Sequence, residues 1–288
     1  MTSVVVPVYN GADVLPTTLP ALLALEDVDE VVMVDDGSTD DTPLLLYSIL
    51  SHRTQLHVET LPSNRGRAAA RNAGIAIARG DVLVLFDADV EPPPHAARAL
   101  ADASRRPGAI ASVARIAPVL TDPAEPFQDY VGHHPRGPAP SARPHDVLDW
   151  RFFLSGACAV RREAMEAAGG FLESVPYGED VVLGCRLAEQ APDGLRLADA
   201  TVRLHDLGDL DRAVENARLF GAAAGRLDEP CRGGGLDALR RAHRLSGAAA
   251  LAVPVLRRVV SVLGPGSFRR KAVRYLLAST ALRAARRA

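Results

Sequence analysis

Residues 82–89, Val-Leu-Val-Leu-Phe-Asp-Ala-Asp, constrain this chain more than any other stretch. Five apolar residues in a row, set between Gly80-Asp81 and Pro92-Pro93-Pro94, predict a short strand buried on both faces. Such a strand delivers Asp87 and Asp89 to its carboxyl end, the edge of an open α/β sheet where ligands bind. Extended alternation would place both carboxylates on one side, about 7 Å apart at Cα. Hard oxygen donors so placed suit a divalent cation, Mg²⁺ or Mn²⁺, that also holds phosphate oxygens. Asp-Ala-Asp alone reads equally well as a strand end that caps a helix.

The chain upstream supplies a wound sheet for that strand. Val4-Val5-Val6 is expected as a first strand, ending in the turn Pro7-Val8-Tyr9-Asn10-Gly11. A helix with apolar positions from Val14 to Leu25 follows, delayed or kinked by Pro16 and Pro20. Val31–Val34 is the second strand and runs into Asp35-Asp36-Gly37-Ser38-Thr39-Asp40-Asp41-Thr42. Gly37 allows the turn, and capping of the next helix accounts for Ser38, Thr39, Asp40 and Asp41. It does not account for Asp35 and Asp36. Leu56–Thr60 is a third strand, and Asn64-Arg65-Gly66-Arg67 opens an Ala-rich helix carrying Arg71-Asn72-Ala73-Gly74. Arginines at a helix start oppose its dipole. They are sensible if Arg65, Arg67 or Arg71 faces an anion such as a diphosphate, and otherwise form a solvated basic face.

Taken together, Val4–Asn10, Val34–Asp40, Asn64-Arg65-Gly66 with Ala70–Gly74, and Asp87-Ala88-Asp89 resemble, in order and spacing, the family-two glycosyltransferases of the GT-A fold. The resemblance is close over positions 3–90 and looser to about 206. It implies an α/β fold: a Rossmann-like, mixed but mostly parallel sheet flanked by helices, built to hold a nucleotide-diphosphate sugar. It further implies that Pro7 and Tyr9 line the nucleoside pocket, with Asp36 accepting a hydrogen bond from the base. Asp87 would lie near ribose and metal, and Asp89 would coordinate the metal bridging the diphosphate. Arg65, Arg71 and Ala88 complete the expected donor-binding set.

Downstream, a helix is expected over 95–106 and a strand over 110–116. Periodicity is lost from Pro118 to Asp149, and this long loop suggests an acceptor-side lid. Trp150–Val160 is expected to return to the sheet, with Gly156 bringing backbone close to the acceptor. Gly169-Gly170-Phe171 stops a helix beginning at Arg162. Gly178-Glu179-Asp180 again matches the family, where the aspartate of the Glu-Asp pair is the catalytic base. The resemblance therefore implies Asp180 as base, with Glu179 beside it for acceptor contacts. By residue type alone, both are simply acids starting a helix over 180–190. Residues 195–198 and 201–204 read as two late strands. After them, His205 matches the histidine that commonly completes the family's metal site.

The formal net charge of −2 hides an asymmetry. Residues 232–288 hold 13 Lys and Arg against one acid, leaving 20 basic and 34 acidic residues before them. A transferase domain over 1–228 and a basic, helical C-terminal extension over 229–288 are expected, the latter with helices at 236–263 and 267–287. Basic helices with apolar faces suit either a peripheral membrane contact, where a lipid-linked acceptor could dock, or pairing in a homo-oligomer. No nucleic-acid partner is expected, because no aromatic residues alternate with the arginines. Three scattered cysteines and a start that runs straight into a strand predict reduced thiols in a cytoplasmic protein, membrane-associated at most on its inner face.

The activity so implied is non-processive, inverting transfer of a sugar to a hydroxyl of a glycan or lipid-linked acceptor. No Gln-x-x-Arg-Trp motif surrounds the single tryptophan, Trp150, and that motif accompanies processive synthases. Two alternatives stand beside it, a sugar-phosphate nucleotidyltransferase and an inactive nucleotide-sugar-binding scaffold. The first is disfavoured by the lack of any lysine before Lys271.

Overall fold

Period-two burial organises the molecule. Val4, Val6 and Val8 point into one core and Val5 into another; Met33 and Val32 divide likewise, as do Val84 with Phe86 against Leu83 with Leu85. Strands buried on both faces need helices on both sides. The computed structural model describes residues 1–50, 55–134, 138, 141–175, 177–228 and 253–285. By their contacts these form two compact units.

The first unit spans 1–117, 137–173 and 179–206. Its strands are β1 (Thr2–Val8), β2 (Glu30–Asp35), β3 (Leu56–Thr60), β4 (Val82–Phe86), β5 (Val90–Glu91), β6 (Ala111–Pro118), β7 (Ala157–Arg161) and β8 (Leu195–Leu204). They form one sheet in the order β3-β2-β1-β4-β7-β6-β8-β5. The half from β3 to β4 is parallel. Beyond β4 the pairings β4–β7, β6–β7 and β5–β8 are antiparallel. The sheet is therefore mixed, with its parallel half carrying the motifs.

Helices α1 (Leu15–Leu23), α2 (Thr42–Leu50) and α4 (Ala96–Arg105) accompany one core. Helices α3 (Arg67–Ile77), α6 (Arg162–Ala167) and α7 (Glu179–Gln190) accompany the other. The two late strands expected over 195–204 are one, because Ala198, Ala200 and Val202 keep the buried alternation through Asp199. Cys158 is free and fully buried, whereas Cys185 is disulfide-bonded. That bond corrects the expectation of three reduced thiols.

The second unit spans 118–136, 174–178 and 207–288. Its described helices are α5 (Pro126–His133), α8 (Leu210–Asp228), α9 (Val253–Val262) and α10 (Ser267–Ala285). Phe127, Val131, Val214, Val260, Val273 and Leu276 form its core. Within it, a side chain at Gly221 would come within 2.0 Å of the Ala281 carbonyl, so α8 and α10 pack backbone to backbone. α5 lies inside the segment read from sequence as loop. Pro126 begins this helix rather than breaking it, and the Glu125 carboxylate caps it by accepting from the Gln128 amide at 2.8 Å. Parts of the expected lid, 135–137 and 139–140, and the portion 236–252 of the helix expected over 236–263 lie outside the described residues, as does the start of the expected extension at 229. Among the described residues, no helix is long and apolar enough to cross a membrane.

Candidate active site

Parallel strands β1, β2 and β4 all end at the same edge of the sheet, and helices α3 and α7 begin there. The side chains gathered at that edge belong to the first unit. Beyond β1, Asn10 adopts φ 48°, and its loop is laced to the loop after β2. The Asn10 amide donates to Ser38 Oγ, and the Thr39 amide donates to Asn10 Oδ1 at 2.8 Å. Gly11 and Ala12 donate to Thr42 Oγ1 and Asp40 Oδ2. Burial opposes ionisation of Asp40, but its hydrogen bonds from Thr42 and Ala12 hold its pKa below the ordinary value. Pro7 is half-buried and Tyr9 is exposed at the rim of this laced pair of loops.

Asp36 is buried, and both carboxylate oxygens receive backbone N–H groups, from Arg65 at 2.8 Å and Gly66 at 2.8 Å. Those amides open α3, whose own N-cap, Gly66, has no side chain to offer. Asp36 thus caps α3 from a neighbouring loop. Each oxygen accepts one N–H here, and a carboxylate has further lone pairs to offer a base.

The reading of Arg71 is corrected. Expected to face a diphosphate, it is 1% exposed. Its Nη1 donates to Glu179 Oε1 at 2.7 Å and its Nη2 to Asp87 Oδ1 at 2.6 Å. The guanidinium carbon sits 5.2 Å from the centroid of the Phe171 ring. Burial opposes the charge, yet Asp87 and Glu179 raise the Arg71 pKa further. The anion that explains an arginine near the start of α3 is the protein's own pair of carboxylates. Arg65 is likewise paired, with Glu173 at 3.0 Å, on an exposed rim.

Asp87, Ala88 and Asp89 do not continue the strand. They form a turn closed by the Val90 amide donating to the Asp87 carbonyl at 3.1 Å, so the extended alternation expected there does not apply. Thr18 Oγ1 donates to the Ala88 carbonyl at 2.6 Å, and the His205 amide donates to the Asp89 carbonyl at 2.9 Å. Gly156 lies against this turn. A Cβ there would sit 2.6 Å from Asp87 Oδ2, so what its bare backbone approaches is the Asp87 carboxylate.

Asp180 begins α7 beside Glu179. Arg71 is one cation against Asp87 and Glu179, with the Arg67 guanidinium farther off, 3.7 Å from Glu179. Asp180 is therefore the surplus negative charge. Removal from water, then repulsion by Glu179, pushes its pKa up to about 6 against the pull of Arg71 and Arg67. Its Oδ1 accepts the Val181 amide at 2.8 Å. Under this cluster lies Cys158, whose thiol is pushed well above its ordinary value by burial, which leaves it inert.

The expected metal ligands Asp87, Asp89 and His205 do not assemble as a set. Asp87 is engaged by Arg71, and His205 Nε2 lies 2.5 Å from Glu91 Oε2. Among the described residues, no three His, Cys, Asp or Glu side chains are disposed to hold an ion by themselves. The main chain nevertheless brings Asp89 beside His205, with Glu91 next along. A cation that takes one or two protein ligands and completes its shell from phosphate oxygens fits such a donor set. Glu91 is not a sequence candidate, because only the antiparallel pairing of β5 with β8 brings it to His205. Asn72 was missed as well. It grips the Phe171 turn in both directions, donating to the Phe171 carbonyl and accepting its amide, each at 2.9 Å.

The sequence model of Glycosyl transferase family 2 matches residues 3–169. The chain belongs to this family. A relative, the pre-mycofactocin glycosyltransferase of Mycobacterium tuberculosis, is 31% identical over 212 residues, 71% of this chain and 42% of that protein. The succinoglycan biosynthesis protein ExoO of Rhizobium meliloti is 39% identical over 119 residues, 41% of this chain and 34% of that one. The chain thus spans well under half the length of these relatives. The fold is matched by the mannosyltransferase PcManGT of Pyrobaculum calidifontis, solved with GDP-Man and Mn²⁺, at a TM-score of 0.61 and 21% identity, covering 96% of this chain and 85% of that one. Residues 1–349 of S. aureus TarS, solved with UDP, match at 0.60 and 16% identity, covering 99% and 91%. These likenesses establish the GT-A fold for this family-2 chain.

Proposed function

We propose that this family-2 chain moves a sugar from a nucleotide-diphosphate sugar to an acceptor hydroxyl on a glycan or lipid-linked molecule, inverting the anomeric carbon. One observation carries the reading: a surplus carboxylate, Asp180, with its pKa raised to about 6, held next to an Arg71 knot that reaches the Asp-Ala-Asp turn. A base at that value is about nine-tenths ionised at pH 7 while still holding a proton better than an ordinary aspartate. Asp180 takes the acceptor proton as the acceptor oxygen bonds to the anomeric carbon. The bond from that carbon to the diphosphate breaks, and the nucleoside diphosphate leaves. Arg71 fixes Glu179, and through it the start of α7, against the Asp87 turn, so base and donor loop keep one spacing. Pro7 and Tyr9 flank the nucleoside, and Asp36 holds the α3 turn beneath it. Mn²⁺ or Mg²⁺, held by Asp89 and His205 together with the diphosphate, would stabilise the charge on the leaving group.

A nucleotide-diphosphate sugar as donor is supported by neighbours of the same fold solved with UDP-GlcNAc and with GDP-Man. A glycan acceptor is supported by relatives named for succinoglycan and poly-β-1,6-N-acetyl-D-glucosamine synthesis. The test is Asp180→Asn. Transfer should fall by about 10²- to 10⁴-fold, while UDP or GDP with Mn²⁺ still raises the melting temperature as in the parent. Unchanged turnover would remove Asp180 from the role of base.

A further inference from the structure

The second unit carries a feature that sugar transfer does not use. Residues 253–285 contain seven Lys and Arg and no Asp or Glu. Some of this charge is internal: Arg269 and Arg270 clamp Asp129, and Arg257 pairs with Asp211 at 3.0 Å. Arg258, Lys271 and Arg274 are exposed, and among the described residues no carboxylate pairs with them. The same surface is apolar to an extent a solvated face does not require. On α9, Val255, Val259 and Val262 are 64%, 36% and 74% exposed, at the i, i+4, i+7 spacing of one stripe, with Arg258 beside it. On α10, Phe268 and Tyr275 are 77% and 48% exposed, seven residues apart. Lys271 lies between them, its ammonium 6.0 Å from the Phe268 ring centre. Val260 on α9 and Val273 and Leu276 on α10 point the other way, into the shared core. Each helix therefore has one apolar face packed and a second, mixed with cations, turned to solvent.

We propose that this outward face of α9 and α10 is a docking surface for an anionic lipid bilayer. Apolar side chains of this size enter the boundary between headgroups and acyl chains, and Arg and Lys stems reach back to anionic headgroups. At ten residues, α9 is about 15 Å long, half the ~30 Å of a hydrocarbon core, so it lies on the surface and does not span it. A second copy of the chain is a poor occupant, since pairing this face with itself opposes cation to cation with no acid between them. Membrane docking here stands apart from the transferase reading, because partitioning is measured without turnover.

The experiment is flotation of the full chain with phosphatidylcholine vesicles and with vesicles of phosphatidylcholine and phosphatidylglycerol. Recovery is expected with the anionic vesicles only, and loss of recovery as salt rises from ~0.1 to ~1 M, where the Debye length falls from about 10 to 3 Å. Lys271→Gln with Arg274→Gln, and separately Val262→Ser with Phe268→Ser, should each weaken partitioning on the order of tenfold. All four positions are exposed, so the melting temperature of each variant should stay that of the parent. Equal recovery on neutral and anionic vesicles, no recovery on either, or variants that float like the parent would each overturn the proposal. So would a concentration-dependent dimer that Val262→Ser with Phe268→Ser abolishes.

Discussion

Each unit of the molecule is tied by one buried ion cluster, and the two clusters have opposite surpluses. In the first, a single guanidinium, Arg71, answers Asp87 and Glu179, with Asp180 left over. In the second, a single carboxylate, Asp129, answers Arg269 and Arg270, both at 3.0 Å. The stoichiometry decides what each can do. Burial raises the pKa of both aspartates, but at Asp129 hydrogen bonds and charge from the two arginines reverse the shift and hold it below the ordinary value. At Asp180, burial and Glu179 act together and the pKa ends near 6. A carboxylate outnumbered by cations is a permanent anion and serves structure. A carboxylate in surplus can exchange a proton near neutral pH, which is what a general base needs.

Removing the cation from the acid-rich cluster should have the largest effect. Arg71→Met leaves Asp87 without its cation and buried Glu179 with only the half-exposed Arg67 at 3.7 Å, and breaking a buried pair in this way costs about 3–5 kcal/mol. Urea unfolding should register it as a lower midpoint with little change in slope. Restoring charge balance with Asp87→Asn and Glu179→Gln in the same chain should recover most of that loss, although not activity. If the triple variant is as unstable as Arg71→Met, shape at Phe171 matters more than charge, and the comparison fails on its first side. The converse substitution, Asp129→Asn, leaves two arginines, of which Arg270 is the less buried and keeps part of its hydration. Its cost should therefore fall toward the low end, about 3 kcal/mol. Transfer activity measured well below the melting temperature should be untouched, because nothing in that cluster belongs to the proposed site.

The two clusters also differed in how far the sequence revealed them. Strand ends declare themselves by apolar runs that stop at acids, so Asp36, Asp87 and Asp89 could be named as candidates. Glu179 and Asp180 came from the resemblance, because residue type alone left them as ordinary first-turn acids. Which acid meets which base could not be read. Arg71 and Glu179 are 108 residues apart and Asp129 and Arg269 140 apart, and no local periodicity encodes such pairings. Sequence therefore offers Arg71, like Arg65 and Arg67, either a phosphate or solvent as its partner, and leaves Arg269 and Arg270 in an undifferentiated basic tail. α5 escapes for a different reason. Pro126 among turn formers reads as a breaker unless the capping Glu125 before it is recognised. The turn at Asp87–Asp89 escapes a sequence reading because five strand residues predict a sixth and a seventh. What ends the strand is the Val90 amide closing back on Asp87, set by the antiparallel β5–β8 pairing.

The smallest expected effect is the sharpest, since it separates the clusters by sign. An aspartate whose folded pKa is raised from 3.8 to about 6 carries no penalty below its unfolded pKa and a full one above its folded pKa. The Asp180 cost therefore appears as pH rises from about 4 to 6 and stays constant above that. Asp180→Asn should accordingly stabilise the chain at pH 7, by at most ~3 kcal/mol from the size of the shift and nearer ~1 after screening by water at a half-buried site. That gain should fade as pH drops toward 4. Asp129 runs the opposite way: its depressed pKa contributes stability fully above 3.8, and the contribution is lost only as pH falls through its lowered value. Asp129→Asn should thus stay equally damaging across the whole window in which the benefit of Asp180→Asn comes and goes. Melting temperatures of the two variants and the parent at pH 4.5, 6 and 7.5 would show it. Parallel curves for the two variants would mean that Asp180 is as firmly ionised as Asp129, and the distinction between a working carboxylate and a structural one would be lost.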